Sequence, residues 1–240
     1  MDPVDVSPAR MPDGAVPAPT PTGAAPTPTG AADTPTEAAD TQTGAAPTPA
    51  ERLARVVTEV FAPAVLAATM PVVIGVHAAP TVPAGLGWAA LALLFSAVVP
   101  YAIVRIGMRL GKITDHHIGV REQRRIPLLF AVGSVLIGLA ILAALHAPRE
   151  LIAMVVVMLV VLVGIGAVNL AWKLSAHAAV ASGSATVLVL VFGPALLATG
   201  VLVALIGWSR VRLRDHTAGQ VVAGALLGVP FAAVTFVLLR

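Results

Sequence analysis

The chain has 240 residues, 58% of them hydrophobic and only 11% charged, an apolar excess that excludes a water-soluble globular fold and makes lipid the main solvent. It contains no cysteine, which excludes a disulfide framework and a thiolate metal site. Its formal charge of +3 hides an uneven distribution, because seven of its twelve acidic residues (Asp2, Asp5, Asp13, Asp33, Glu37, Asp40 and Glu51) precede the first apolar run; the basic remainder suits a bilayer and anionic head groups, not nucleic acid.

Residues 1–50 are Pro, Ala, Thr and Gly with few large apolar side chains, which leaves nothing to offset the entropy of ordering and predicts a disordered tail. A seven-residue repeat starts at Pro19, Pro26, Asp33 and Asp40. Three copies have a central proline and no position holds Leu, Ile or Val, so it reads as a tether and not a coiled coil. No basic stretch followed by a short apolar core opens the chain, so the first span is expected to act as an uncleaved anchor.

Residues 51–240 form the transmembrane domain. From Glu51, Leu53, Val56, Val57 and Val60 share one helical face, with Arg52, Arg55 and Glu59 elsewhere, which predicts an interfacial helix leading into the first span. Apolar runs predict spans near 60–77, 84–105, 126–146 and 150–172. A polar loop, Arg109 to Arg125, separates the second from the third. The stretch from His177 to Ser209 would measure about 50 Å as one helix, well beyond the hydrocarbon thickness. Gly193-Pro194 breaks it into a hairpin of two short helices, and a last span follows near 220–239. The expected fold is an all-α polytopic bundle of about seven spans, with six as the alternative count.

With seven spans, thirteen of the fifteen Lys and Arg residues share the face of the tail, and only Arg149 and Arg240 lie on the other. The positive-inside tendency then makes the basic face cytoplasmic in a multi-pass plasma-membrane protein.

On that face stand Leu174-Ser175-Ala176-His177 and, some thirty positions later, Ser209-Arg210, five residues, and His216. They resemble the second (Pro-Ser-Gly-His) and third (Ser-Arg-x5-His-x3-Asp) signatures of the type 2 phosphatidic acid phosphatase superfamily. The second keeps Ser and His but not Pro and Gly; the third has Gln220 where the family has Asp. The first signature, Lys-x6-Arg-Pro, has no proper match, and Arg121, Arg124 and Arg125 before Pro127 are its nearest counterpart. The resemblance covers the chain from Lys112 onward. It implies a membrane hydrolase that removes phosphate from a lipid or isoprenoid phosphate, without metal or other cofactor, with His216 as nucleophile and His177 as general acid.

The residue types suit that chemistry in their own right. Phosphoryl transfer needs donors on the equatorial oxygens, an in-line nucleophile and a proton source. Arg210 with Arg121, Arg124 or Arg125 can supply charge-assisted bonds, Ser175 and Ser209 hydroxyl donors, and the helix start near Ser175 free N–H groups. Gln220 lies one turn after His216 and can orient its ring; Asp115 and Asp215 are the alternative acids. Asp115-His116-His117 reads as no metal site, since adjacent histidines point apart. Gly224 and Gly228 predict close helix packing. The rival readings are an inactive scaffold that binds lipid phosphate and a small transporter.

Overall fold

The computed structural model describes residues 46–109 and 125–240, and every regular element among them is helical. The first helix, α1 (Pro49–Val60), starts inside the stretch read as tail. Thr48 caps it, Pro49 occupies its first turn, and Glu51 closes a reciprocal capping box with Thr48. Those features offset the cost of ending the tail two residues early. The repeats lie outside the described residues.

A bend of 47° at Phe61-Ala62 leads into α2 (Pro63–Ala78). Next comes a continuous rod made of α3 (Val82–Leu93), a π-helical turn (Leu94–Val98) and α4 (Val99–Arg109). The turn is an accounting consequence of hydrogen bonds near Pro100. Val99 N–H reaches back five residues to the Leu94 carbonyl, which frees the Phe95 carbonyl, and Ser134 of the next helix donates to it at 2.6 Å. Then follow α5 (Arg125–Ala144), α6 (Arg149–Asn169), α7 (Ala176–Phe192), a 3-10 turn (Pro194–Thr199), α8 (Gly200–Arg212) and α9 (Ala218–Leu239).

Among the described residues four segments are long and apolar enough to cross a bilayer: Val82–Gly107, Arg149–Asn169, Pro194–Arg212 and Ala218–Leu239. The bent pair α1–α2 makes a fifth if taken as one span. These long apolar helices make the chain an integral multi-pass membrane protein. The expected seven is a higher count. Its difference lies in short helices such as α7, whose 17 residues rise only about 25 Å against a hydrocarbon core of about 30 Å.

The break at Gly193 is present. Gly193 sits at φ +94°, a conformation that costs an L side chain dearly, and α8 packs back against α7. The most extensive helix pair is α7 with α9, and its cause is the Gly224/Gly228 stripe. A Cβ at Gly228 would overlap the Ala179 carbonyl and Ser182 hydroxyl, and one at Gly224 would press on the Ser175 carbonyl. Ser182 uses that proximity to donate to the Ala225 carbonyl at 3.1 Å. Around this pair Met154, Val157 and Val161 of α6, Ile74 of α2, Val187 of α7 and Phe236 of α9 form the main core. A smaller cluster of Val57, Ala181 and Ile206 seats α1 on α7 and α8.

Candidate functional site

The chain from Ser209 to Gln220 turns a sharp corner, and hydrogen bonds fix that corner locally. Asp215 N–H donates to the Arg210 carbonyl at 3.1 Å and Arg214 N–H to the Val211 carbonyl at 3.0 Å. This is the paired six-to-one and five-to-two pattern that closes a helix C-terminus. Its left-handed position is usually glycine; here it is Arg214, at φ +59°. The His216 N–H also reaches the Arg210 carbonyl, at 3.3 Å, so the histidine folds back over the end of α8.

The other side of His216 is held by the start of α9. Thr217 caps that helix and exchanges bonds with Gln220, whose Oε1 accepts the Thr217 N–H at 3.1 Å. The same oxygen lies 3.2 Å from His216 Nδ1. Since a backbone N–H can only donate, the shared atom is the amide oxygen and Nδ1 must carry the ring proton. His216 Nε2 is thereby left with its lone pair. Burial pushes the His216 pKa below its ordinary 6.5, and the nearby Lys173 and Arg210 charges push the same way, against the Gln220 bond and Asp215.

His177 arrives from a different part of the chain, in the first turn of α7. Ser175 caps that helix, fully buried, with its Oγ accepting the Ala178 N–H at 3.5 Å. The Ser175 N–H donates to the Gln220 carbonyl at 3.2 Å, which ties the start of α7 to the start of α9. Lys173 Nζ adds a second tie, to the Asp215 carbonyl at 2.8 Å, and Asn169 Oδ1 anchors the intervening turn by accepting Leu174 N–H at 2.7 Å. His177 consequently lies within electrostatic range of Arg210, His216 and Asp215. The structure brings the two expected histidines together on one end of the bundle.

Arg210 is nearly buried and pairs with Asp215, Nη1 to Oδ2 at 3.1 Å. Its Nε is buried with no hydrogen-bond partner among the described residues, a donor left without an acceptor. Beside the corner lies an open pocket of about 400 Å³, lined by Lys173, Val211, Arg214, Asp215, His216, Thr217 and Gln220. Asp215, one of the alternative orienting acids, thus serves Arg210 while Gln220 serves the His216 ring.

Ser209 departs from the expected role of phosphate donor. It is fully buried, its hydroxyl donates to the Ile206 carbonyl at 2.7 Å, and it stands 3.0 Å from the Thr58 hydroxyl. With its single proton committed to Ile206, Ser209 accepts from Thr58 and has none for a substrate. Arg121, Arg124 and the side chain of Arg125 lie outside the described residues, as do Asp115, His116 and His117.

Sequence reasoning missed several parts. Thr58 sits on the buried stripe of α1 with Ala54 and Val57, with nothing in its local sequence to announce a partner 151 positions away. Arg212 pairs with Glu51 at 3.5 Å and donates to the Thr48 hydroxyl at 3.4 Å. The Thr217 cap was legible, since Thr-x-x-Gln is a capping-box pattern. No protein-family model, curated protein or solved structure matches this chain.

Proposed function

We propose that the chain is a phosphohydrolase that removes phosphate from a lipid or isoprenoid phosphate at the membrane surface, in the manner of the type 2 phosphatidic acid phosphatases that its motifs resemble. The observation that carries this reading is the juxtaposition of His216, its Nδ1 proton held by Gln220, with His177 and the partly unsatisfied Arg210. Neutral Nε2 of His216 attacks phosphorus, an N–P bond forms, and the P–O bond to the lipid breaks as His177 protonates the departing alkoxide. Water, giving its proton back to His177, then cleaves the phosphohistidine and releases inorganic phosphate. Arg210, Lys173 and the free N–H groups at the start of α7 stabilise the charge on the equatorial oxygens. No cofactor enters the scheme.

In this reading the short helices also cross, giving seven spans with the site and N-terminus cytoplasmic. The lipid tail remains in the bilayer beside the bundle. The test is phosphate release in detergent from a panel of lipid and prenyl mono- and diphosphates, with EDTA, for wild type, His216→Ala and His177→Ala. Turnover by wild type that both variants lose supports the mechanism; equal turnover in all three rejects it.

A second reading has its own observation. The Arg210–Asp215 ion pair occupies part of the guanidinium a substrate needs, and Gln220 cannot supply the negative charge that stabilises an imidazolium. Both suit a scaffold that binds lipid phosphate without cleaving it. Saturable binding of lipid phosphate without release of inorganic phosphate selects that reading.

A further inference from the structure

Midway through the helical body, between α2, the π turn, α5, α6 and α7, lies a cavity of about 250 Å³. Its lining includes Met154, Met158, Val161 and Val180 and, among the described residues, no charged side chain. Ser96 of the π turn and Ser184 of α7 supply the hydroxyls of that lining. Ala64 and Leu162 on its rim are exposed, so the cavity communicates with the surrounding lipid. Ser96 stands out. Ser182, Thr186 and Thr69 each donate to a carbonyl of their own helix, at Ala179, Ser182 and Val65, the ordinary resolution for a hydroxyl in an apolar helix. Ser96 Oγ is buried and has no hydrogen-bond partner among the described residues. An unpaired buried hydroxyl is costly, and bulk water does not reach its depth. Ser96 is about 20 Å from either end of the rod Val82–Arg109, and Ser184 about 12 Å from either end of α7.

We propose that this cavity binds the chain of an uncharged, carbonyl-bearing membrane lipid, and that Ser96 donates its hydroxyl proton to the carbonyl oxygen. Size, polarity and depth each narrow the occupant. An apolar cavity of roughly 150 Å³ stays dry and admits benzene, so one of about 250 Å³ takes a segment of chain or a small ring. A water placed there would find two hydroxyls and, among the described residues, no third polar side chain to complete its usual set of about three bonds. No cation in the lining neutralises a phosphate or carboxylate, and a charged head group would hold a lipid's ester carbonyls at the interface. The ligand is therefore a neutral lipid able to carry its carbonyl to mid-membrane, whether the ester of a diacylglycerol or the ring carbonyl of an isoprenoid quinone. Met154 and Met158, unbranched and polarizable, let the wall adapt to it. On α7 the cavity begins at Val180, one turn beyond His177, but its lining shares no residue with the histidine pocket. Binding here does not depend on phosphate hydrolysis at the histidines.

The test is binding of dioleoylglycerol, a decyl-substituted benzoquinone and squalene, a hydrocarbon with no carbonyl, to the full chain in detergent. Native mass spectrometry counts the bound lipid, and the unfolding temperature reports its effect on stability. One equivalent of dioleoylglycerol or of the quinone should bind saturably and raise the unfolding temperature; the one held more tightly identifies the source of the carbonyl. Ser96→Ala should weaken that lipid roughly fivefold, the weight of one neutral hydrogen bond, and leave squalene unaltered, while Ser96→Thr, which keeps the hydroxyl, should retain it. Ala67→Leu fills the cavity from α2 and should abolish saturable binding without lowering the unfolding temperature of the lipid-free protein. Four results would each overturn the assignment: no saturable binding of either carbonyl lipid to wild type, squalene held as tightly as they are, a Ser96→Ala affinity equal to that of wild type, or undiminished binding to a folded Ala67→Leu.

Discussion

The two ends of the helical body use similar residues differently. At one end the first turn of α7 is bonded to the first turn of α9, Lys173 to the Asp215 carbonyl, and α1 to α8 by both a hydroxyl pair and an ion pair. At the other, His77 meets Phe192 edge to face with ring centroids 4.6 Å apart, and Arg240 donates to the Leu190 carbonyl at 3.1 Å. His146 lies there too, exposed, in a left-handed turn at φ 58°. Both ends thus carry histidine and arginine. What differs is connectivity, since several hydrogen bonds and an ion pair cross-link one end, while one ring contact and one hydrogen bond tie the other. A polar residue at a membrane surface indicates chemistry only when its partners fix its geometry.

The largest effects should come from breaking the first end. On the proposed mechanism His216→Ala removes the nucleophile and should lower phosphate release by at least about a thousandfold, and His177→Ala by roughly a hundredfold or more; single-turnover assays check both. Gly228→Val attacks the same end from below. Its Cβ has no room against the Ala179 carbonyl, so α7 and α9 must part, at a cost of about 3 kcal/mol or more, read as a lower unfolding temperature in detergent with turnover lost in parallel. Retained stability would mean the α7–α9 pairing does not hold the histidines.

Gln220 allows a finer cut. Because the His216 pKa lies below 6.5, its neutral form persists as pH falls past that value, and the acid limb of the rate profile should lie below 6.5. The linkage runs the same way: between the folded pKa and 6.5 the unfolded chain binds more protons, so stability drops as pH falls through that window. Gln220→Glu keeps the capping box and adds a negative charge, which favours the imidazolium and should move the acid limb upward. Gln220→Ala loses both bonds, with a turnover loss of roughly tenfold and about 1 kcal/mol of helix capping. A pH profile identical in all three proteins would remove Gln220 from the site.

The helical, membrane-embedded character of the chain was legible from its apolar runs, because hydrocarbon admits no unpaired backbone and the required lengths are fixed by bilayer thickness. The hairpin at Gly193 was legible for the same reason, as a length problem with a glycine and a proline at its centre. The start of α1 was misread by composition, since Thr48 and Pro49 look like one more repeat until Glu51 is seen to close a capping box. The histidines could be paired by motif spacing, yet their supports could not. Thr58 with Ser209, Lys173 with Asp215 and Glu51 with Arg212 join positions whose meeting depends on the assembled packing of α1, α7, α8 and α9. Ser209 shows the converse, a residue that fits a motif but whose proton the fold has already assigned.

The smallest expected effect sharpens the contrast from the quiet end. His77→Ala removes the edge-to-face contact with Phe192, an interaction of about 0.5–1.5 kcal/mol beyond the area it buries. Arg240→Ala removes one exposed bond to a carbonyl at the end of α7, of about 1 kcal/mol at most. Neither reaches the pocket, which sits at the other end of α7, about 25 Å away along a 17-residue helix. Turnover in both variants should therefore stay within about twofold of wild type, with a slight fall in unfolding temperature. If either lost turnover as Gln220→Ala does, the two ends would be coupled through α7, and the difference in connectivity drawn between them would no longer explain where the chemistry lies.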